Sequence, residues 1–177
     1  MPSPVTWTAP AERTDQPATM AERDILLTLL DYTRRTALMK CEGLSDEDAR
    51  RRLLPTSPLM TMSGIVSHLR WVEWSWIHED LLGEPLEVPW RDEGAQEEFT
   101  YRLDQPLSVT LDDYAEMARA NDELFTTLDL DQVAVQRMPD GRQITFRWIL
   151  QHLIEENARH NGHLDVIREL IDGARGD

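Results

Sequence analysis

Two segments with helical periodicity carry polar side chains on faces that are otherwise apolar, and these side chains can bind a divalent metal. Glu156 and His160 are four residues apart, so on a helix they lie on one face about one turn apart. His68 lies on a second apolar face, within IVSHLRWVEW. Burying a lone carboxylate or imidazolium costs on the order of several kcal/mol unless the group is paired or bound to a metal. The pattern therefore indicates that the three side chains meet.

Each of the three residues also has an ordinary interpretation when it is taken alone. A histidine on an apolar face is commonly a core residue bonded to a carbonyl group, and Glu156 suits a helix salt bridge like the one expected between Glu155 and Arg159. Three suitable ligands that face one interior are much rarer. Two imidazoles and a carboxylate suit borderline divalent metals. Three protein ligands also leave a position for water, which is typical of catalytic metal sites.

Two further histidines lie near the same face. His163 follows His160 by three residues, and His152 precedes Glu156 by four. Either one is a candidate for a fourth metal ligand, for a donor that orients a ligand, or for a general base, and the spacing supports all three roles. A metal-free alternative also stays open, in which the buried residues form a hydrogen-bonded network. His78, at the far end of its helix, is interpreted as a surface or structural residue.

Four segments with helical periodicity must hold these residues in place. Their boundaries are marked by a capping box at Thr19, a proline in the first helical position at Pro58, a second cap at Thr110 and a terminal glycine at Gly173. These signals predict four long helices, over residues 19–43, 57–82, 110–128 and 145–171. Such a set predicts an all-α four-helix bundle.

The connections between these helices differ in length. Ser45 is expected to cap a short acidic helical turn, and Asp140–Gly141 marks a turn whose flanks favour a short hairpin. Residues 83–110 show no sustained period, and a stretch of that length usually serves as a crossover or a lid. Residues 1–18 contain four prolines and are expected to form a surface arm, which leaves residues 19–177 as one domain.

The charge of the chain argues against two classes of partner. The 177 residues carry 33 acidic and 18 basic side chains, a net charge of −15, and Lys40 is the only lysine. Such a chain repels phosphate, so neither nucleic acid nor an anionic membrane is an expected partner. No apolar run approaches the roughly 20 residues that cross a bilayer, and the N-terminus lacks a secretory pattern. Because Cys41 is the single cysteine, we expect a cytoplasmic protein in which this thiol is structural.

The segments IVSHLRWVEWSWI and LQHLIEENARHNGHLDVIREL resemble the DinB-like superfamily, and they look most like its actinobacterial branch of uncharacterised proteins. The resemblance extends over nearly the whole chain after the arm. It implies a four-helix bundle with a long crossover between the second and third long helices. It also implies a divalent metal that is bound by one residue of the second helix and two residues of the last.

The resemblance assigns the metal ligands to particular positions. His68 and His160 match the outer positions of the ligand set, and Glu156 stands where most relatives have histidine. The similar mycothiol-dependent maleylpyruvate isomerase uses a His, Glu, His set. This set favours zinc over nickel, iron or manganese. His163 stands where many relatives have glutamine.

The resemblance also implies a class of reaction. Characterised relatives are transferases or isomerases that depend on mycothiol, bacillithiol or glutathione, so the metal would activate a low-molecular-weight thiol that attacks a small electrophile. In that scheme His163 or His152 would manage protons. The alternative is a non-enzymatic bundle that binds a metal or a small molecule in a stress or structural role. Relatives are often dimers, and the tryptophan-rich second helix, with Trp71, Trp74 and Trp76, offers a surface for a homodimer.

Overall fold

Four long helices form an all-α bundle, as the sequence predicts. The computed structural model describes residues 21–85 and 96–176. The predicted N-terminal arm and Thr19 of the first capping box lie outside these residues. The helices are α1 (Glu22–Lys40), the short α2 (Asp46–Ala49), α3 (Met62–Trp74), α4 (Leu107–Phe125) and α5 (Phe146–Asp172). α1 packs on α5, and α3 packs on both α4 and α5, so α3 is the helix that joins the two halves of the bundle.

α1 ends earlier than the sequence predicts, whereas the cap of α2 lies where it is predicted. α1 ends at Lys40, three residues before Gly43, where the sequence predicts the stop. The hydroxyl of Ser45 accepts a hydrogen bond from the N–H of Asp48, so the predicted cap of α2 is confirmed. This short helix matters for the bundle because its first residue contacts α4.

A threonine cap sets the start of the helix that carries His68. The hydroxyl of Thr61 accepts a hydrogen bond from the N–H of Gly64, 3.0 Å away. This bond satisfies one of the backbone donors that the first turn of a helix leaves open. α3 therefore begins directly after Thr61, and the start predicted at Ser57–Pro58 is wrong.

A contact between distant parts of the chain sets the start of α4. The N–H of Leu107 donates to Oδ1 of Asp46 in α2, 2.8 Å away. Because this carboxylate supplies the cap, α4 begins three residues before Thr110, and the predicted cap at Thr110 is wrong. The helix ends at Phe125. Leu128 therefore lies beyond α4 instead of on it, although it is buried.

The end of the histidine-bearing helix departs from α-helical geometry. The predicted helix continues to Leu81, but Ser75–Leu81 forms a π-helix, whose turns contain an additional residue. The segments that flank Asp140–Gly141 do pair in the antiparallel sense, as predicted, but only through an isolated bridge between Val133 and Thr145, and no strand forms among the described residues. The N–H of Val135 donates outside this pairing, to the carbonyl oxygen of Leu81.

The last helix matches its prediction most closely. The hydroxyl of Thr145 caps α5 by accepting from the N–H of Trp148. Gly173 ends the helix in the left-handed region, with φ of 80°. The apolar stripe of α5 is fully buried at four of its predicted positions, which are Ile149, Leu153, Leu164 and Ile167.

Two asparagines fix the rotation of α5 about its axis. The hydroxyl of Tyr114 in α4 donates to Oδ1 of Asn157, 2.8 Å away. Nδ2 of Asn161 donates to the carbonyl oxygen of Thr33 in α1, 2.9 Å away. Rotating the helix would leave these buried polar groups without partners, at a cost of about 1–3 kcal/mol each. The face of α5 that carries Glu156 is thereby held towards α3.

A buried ion pair ties α1 to α3 on the other side of the bundle. Arg34 binds Glu73 through two of its nitrogens, and Glu73 is fully buried. Nδ2 of Asn121 also donates to Glu73, 2.8 Å away, and Nη1 of Arg34 donates to Asp122, 2.7 Å away. The charged groups are therefore paired by several hydrogen bonds, which a buried ion pair needs.

Replacing Arg34 with methionine tests this network. The change leaves the Glu73 carboxylate buried without its counter-ion, so we expect a loss of about 3–5 kcal/mol in the free energy of unfolding. The control is Arg119→Ala, which removes the ion pair with Glu123 between side chains that are 72% and 76% exposed. That control should lose less than about 1 kcal/mol. Urea denaturation followed by circular dichroism measures both, and similar small losses would contradict the argument.

Candidate metal centre

α3 and α5 bring the three predicted ligands together. His68, Glu156 and His160 each offer a ligand atom, and these atoms all lie within 4.8 Å of one another. Oε2 of Glu156 lies 3.7 Å from Nε2 of His68 and 3.5 Å from Nε2 of His160. The two histidines are only 8% and 7% exposed. The spacing in the sequence therefore identified a real convergence of side chains in the interior.

The separations of these atoms suit one small cation. Donor atoms bound to zinc at about 2.0–2.1 Å in a tetrahedral arrangement are about 3.3–3.4 Å apart. Two of the three separations, 3.5 and 3.7 Å, exceed that value only slightly, and the third, between the two imidazole nitrogens, is within 4.8 Å. Two imidazoles and one carboxylate are also a donor set that borderline divalent metals accept. By distance and by chemistry, these residues fit a metal ion.

The surroundings of His160 favour its neutral form. Burial lowers the pKa of this imidazole to about 3, and the nearby His68, His163 and Arg159 act in the same direction. A neutral imidazole has a lone pair to offer a metal. Nη1 of Arg159 also lies 3.5 Å from Oε1 of Glu156, so the other carboxylate oxygen is the one that faces the imidazoles.

His163 contacts His160 from the side that faces away from Glu156. Nδ1 of His163 lies 3.4 Å from Nδ1 of His160, so one of these nitrogens donates to the other. Of the roles that the sequence left open for His163, this geometry favours the one in which it orients His160. His163 is not part of the cluster of three ligand atoms among the described residues.

His152 lies between two tryptophans beside the cluster. Its ring stacks on Trp148, with 5.2 Å between ring centroids, and meets Trp76 edge-on at 4.8 Å. One ring nitrogen of His152 and one carboxylate oxygen from each of Glu155 and Glu156 lie within 4.8 Å of one another. Glu155 is already paired with Arg159, which confirms the predicted salt bridge. His152 is thus adjacent to the carboxylate of the cluster without joining the two other imidazoles.

The end of the crossover covers His68, which sequence reasoning did not predict. A 3-10 helical turn, Glu97–Phe99, lies against α3, and the ring of Phe99 stacks on His68 at 4.2 Å with an interplanar angle of 9°. Oε1 of Glu98 lies 2.9 Å from Nδ1 of His68. The approach angle falls outside hydrogen-bond geometry, so this buried nitrogen has no well-aligned partner. No periodicity in this stretch signals either residue.

A glycine allows the crossover to approach α3 so closely. A Cβ atom added at Gly64 would lie 2.5 Å from the carbonyl oxygen of Leu59 and 2.9 Å from that of Phe99. Both atoms belong to the backbone, so neither can move away easily. Gly162 in α5 differs, because a Cβ atom there would meet nothing within 4 Å.

Alanine at these two glycines should have opposite effects. Gly64→Ala forces the backbone apart and should lower the free energy of unfolding by about 1–3 kcal/mol. Gly162→Ala gains helix propensity without a clash and should raise it by up to about 1 kcal/mol. Denaturant titration of both variants measures the difference. Equal shifts in the same direction would contradict the close approach of the crossover.

The other residues that the sequence singled out lie in surroundings typical of structural residues. Nδ1 of His78 lies 2.8 Å from Oε2 of Glu84, and Nε2 lies 3.1 Å from Oδ1 of Asn121, which agrees with a structural residue. Burial raises the pKa of the Cys41 thiol to about 12, so this cysteine is not a nucleophile at neutral pH. Trp71 lies under the crossover, with its ring 5.5 Å from that of Tyr101.

Comparison with known families assigns the chain. A family model described as Mycothiol-S-transferase matches residues 25–173. The chain belongs to the mycothiol S-transferase family. This family is a member of the DinB-like superfamily, so the relationship predicted from the histidine-bearing segments is confirmed. No curated protein matches the chain.

The match covers every element of the candidate site. Its range begins within α1 and ends after α5, and it includes the three clustered candidate ligands and the turn that covers His68. Across residues 21–85 and 96–176, no helix is both long and apolar enough to span a membrane.

The lowered pKa of His160 predicts a pH dependence of stability in the metal-free protein. In the unfolded chain a histidine titrates near pH 6.5, whereas the pKa of folded His160 is about 3. The unfolded state therefore binds more protons between these values, and stability is lost as pH falls below about 6.5. His160 should contribute a slope of up to about 1.4 kcal/mol per pH unit. Denaturation of wild type and His160→Gln measures it, and equal slopes would contradict the prediction.

Proposed function

We propose that the protein transfers a low-molecular-weight thiol of the mycothiol class to a small electrophile, at a divalent metal held by His68, Glu156 and His160. The observation that carries the proposal is the convergence of these three side chains from two helices, with donor separations of 3.5 and 3.7 Å. The family description supports the thiol. Zinc is the first candidate for the metal, because it accepts nitrogen, oxygen and sulfur donors together.

The three protein ligands leave room for a substrate. Structural zinc sites usually close with four protein ligands, and sites with three keep an open position. A divalent cation held by these residues would supply Lewis acidity, which would favour the deprotonated form of a bound thiol. The side chains around the site would orient the ligands and transfer the proton.

His163 supports the site by orienting a ligand. Its Nδ1 lies 3.4 Å from Nδ1 of His160, which directs Nε2 of His160 towards Glu156. A ligand that is fixed in this way loses less conformational entropy on binding. We therefore assign His163 to orientation and not to proton transfer.

His152 is the better placed of the two for proton transfer. It lies next to Glu156 but outside the set of three ligands, and its side chain is 23% exposed, so solvent can receive a proton from it. In the reaction, the thiol loses its proton to this base, and the sulfur forms a bond to carbon of the electrophile. Where the electrophile carries a leaving group, that group departs with its bonding electrons. Where the sulfur adds to a double bond or to a strained ring, that bond breaks and its electron pair takes up the proton from His152.

The first test is the metal content of each chain. Wild-type protein should contain close to one divalent ion per chain by mass spectrometry, and His68→Ala, His160→Ala and Glu156→Gln should each lose it. His78→Gln is the matched control, because this histidine lies outside the cluster and should leave the metal content unchanged. Wild-type protein that stays metal-free after incubation with zinc, nickel, iron and manganese would overturn the metal and favour the buried hydrogen-bonded network.

Thiol conjugation is measured on the same metal-loaded samples. Mycothiol, bacillithiol and glutathione are each offered with a fluorogenic electrophile, and the conjugate is quantified. We expect turnover by wild type and by His78→Gln, and none by the variants that lose the metal. Metal-loaded wild type that neither binds nor conjugates any of the three thiols would reject the transferase and favour a non-enzymatic metal-binding role.

A further inference from the structure

We propose that Glu98, in the crossover, is a positioning residue that keeps the proton of His68 on Nδ1 and so presents the lone pair of Nε2 to the cluster. The effect on metal affinity rests on the proposed function, whereas the effect on the proton does not. The inference comes from the two carboxylates that flank one imidazole, one at each ring nitrogen.

The two flanking carboxylates are at different distances. Oε1 of Glu98 lies 2.9 Å from Nδ1 of His68, which is within hydrogen-bond distance. Oε2 of Glu156 lies 3.7 Å from Nε2, which is too far for a hydrogen bond. A neutral imidazole carries one proton, and the charge of the nearer carboxylate favours it on the adjacent nitrogen, although the two groups are not aligned as a hydrogen bond. The proton therefore belongs on Nδ1, and Nε2 is left to accept a metal.

Several contacts hold Glu98 at this place. The hydroxyl of Ser67, next to His68, donates to the carbonyl oxygen of Glu98, 2.6 Å away. The neighbouring Phe99 stacks on the His68 ring, and Gly64 leaves room for the carbonyl group of Phe99. The backbone of the turn is thus fixed on α3 at Glu98 and at the residue after it. Only the carboxylate must rotate to align with Nδ1.

The misaligned contact has a consequence for the crossover. Nδ1 of His68 is buried without a well-aligned partner, and leaving a buried donor unsatisfied is unfavourable. With a metal bound at Nε2, the N–H at Nδ1 would be a stronger donor, and this would favour rotation of the Glu98 carboxylate into line. Metal binding and the docking of the Glu97–Phe99 turn on α3 should therefore strengthen each other.

The first experiment measures the proton on metal-free protein. Long-range ¹⁵N–¹H spectra at alkaline pH show which nitrogen of the neutral His68 ring is protonated. Wild type should carry the proton on Nδ1, and in Glu98→Ala it should move to Nε2. Glu98→Gln should give an intermediate result, since an amide oxygen still accepts but without charge. Glu97→Gln, in the same turn, is the control and should match wild type.

The second experiment measures the affinity for metal on the same variants. Competition with a zinc chelator should show a loss of about 10–100-fold in Glu98→Ala, a smaller loss in Glu98→Gln and none in Glu97→Gln. The visible spectrum of the cobalt-loaded protein should change only in the Glu98 variants. Circular dichroism checks that the helices are unchanged.

The outcomes separate this inference from the proposed function. A proton that stays on the same nitrogen in wild type and Glu98→Ala overturns the inference, whether or not the protein binds metal. A proton that moves as expected supports the role of Glu98 even where wild type binds no metal, and in that case the proposed function alone fails. Unchanged zinc affinity in a metal-binding protein overturns the coupling to the crossover.

Discussion

The need to pair buried polar groups governs the arrangement of this bundle. α5 carries two adjacent polar stripes, and one of them, Asn157 and Asn161, is bound by Tyr114 and by the backbone of α1. These bonds prevent the helix from rotating, because rotation would leave the amides buried and unpaired. The second stripe, Glu156 and His160, is therefore fixed towards His68. The position of the candidate site depends on hydrogen bonds that are not part of it.

The two charged clusters of the interior differ in how completely they are satisfied. Around Arg34 and Glu73, each charged group is met by an opposite charge or an amide, which is the pattern of a structural network. In the cluster of His68, Glu156 and His160, the carboxylate oxygen lies 3.5 Å or more from both imidazole nitrogens. A bound ligand is one way to satisfy a polar group that remains incompletely paired in the interior. Within one bundle, the contrast separates the structural cluster from the candidate metal centre.

The sequence predicted the elements that depend on local pattern. α5 has a side-chain cap, a regular apolar stripe and a terminal glycine, and all three signals come from neighbouring residues. The cap of α4 does not come from a neighbouring residue, because Asp46 lies 61 residues before the N–H that it binds. No local signal predicts this contact. For the same reason the three converging side chains were picked out by their positions on two helices, whereas Glu98 and Phe99 were missed. They reach His68 from a stretch that has no periodicity, and only the folded chain brings them together.

The π-helix at Ser75–Leu81 divides one continuous helix into two parts with different phase. The part before it is anchored by the cap at Thr61 and by its buried face, so His68 keeps its direction. A deletion within α3 would rotate every later residue of the helix by about 100°. A single-residue deletion within the π-helix would instead restore α-helical spacing, because each of its turns holds about one residue more than an α-turn. The π-helix is therefore the part of this helix that can lose a residue without changing the direction of His68 or of the residues that follow Leu81.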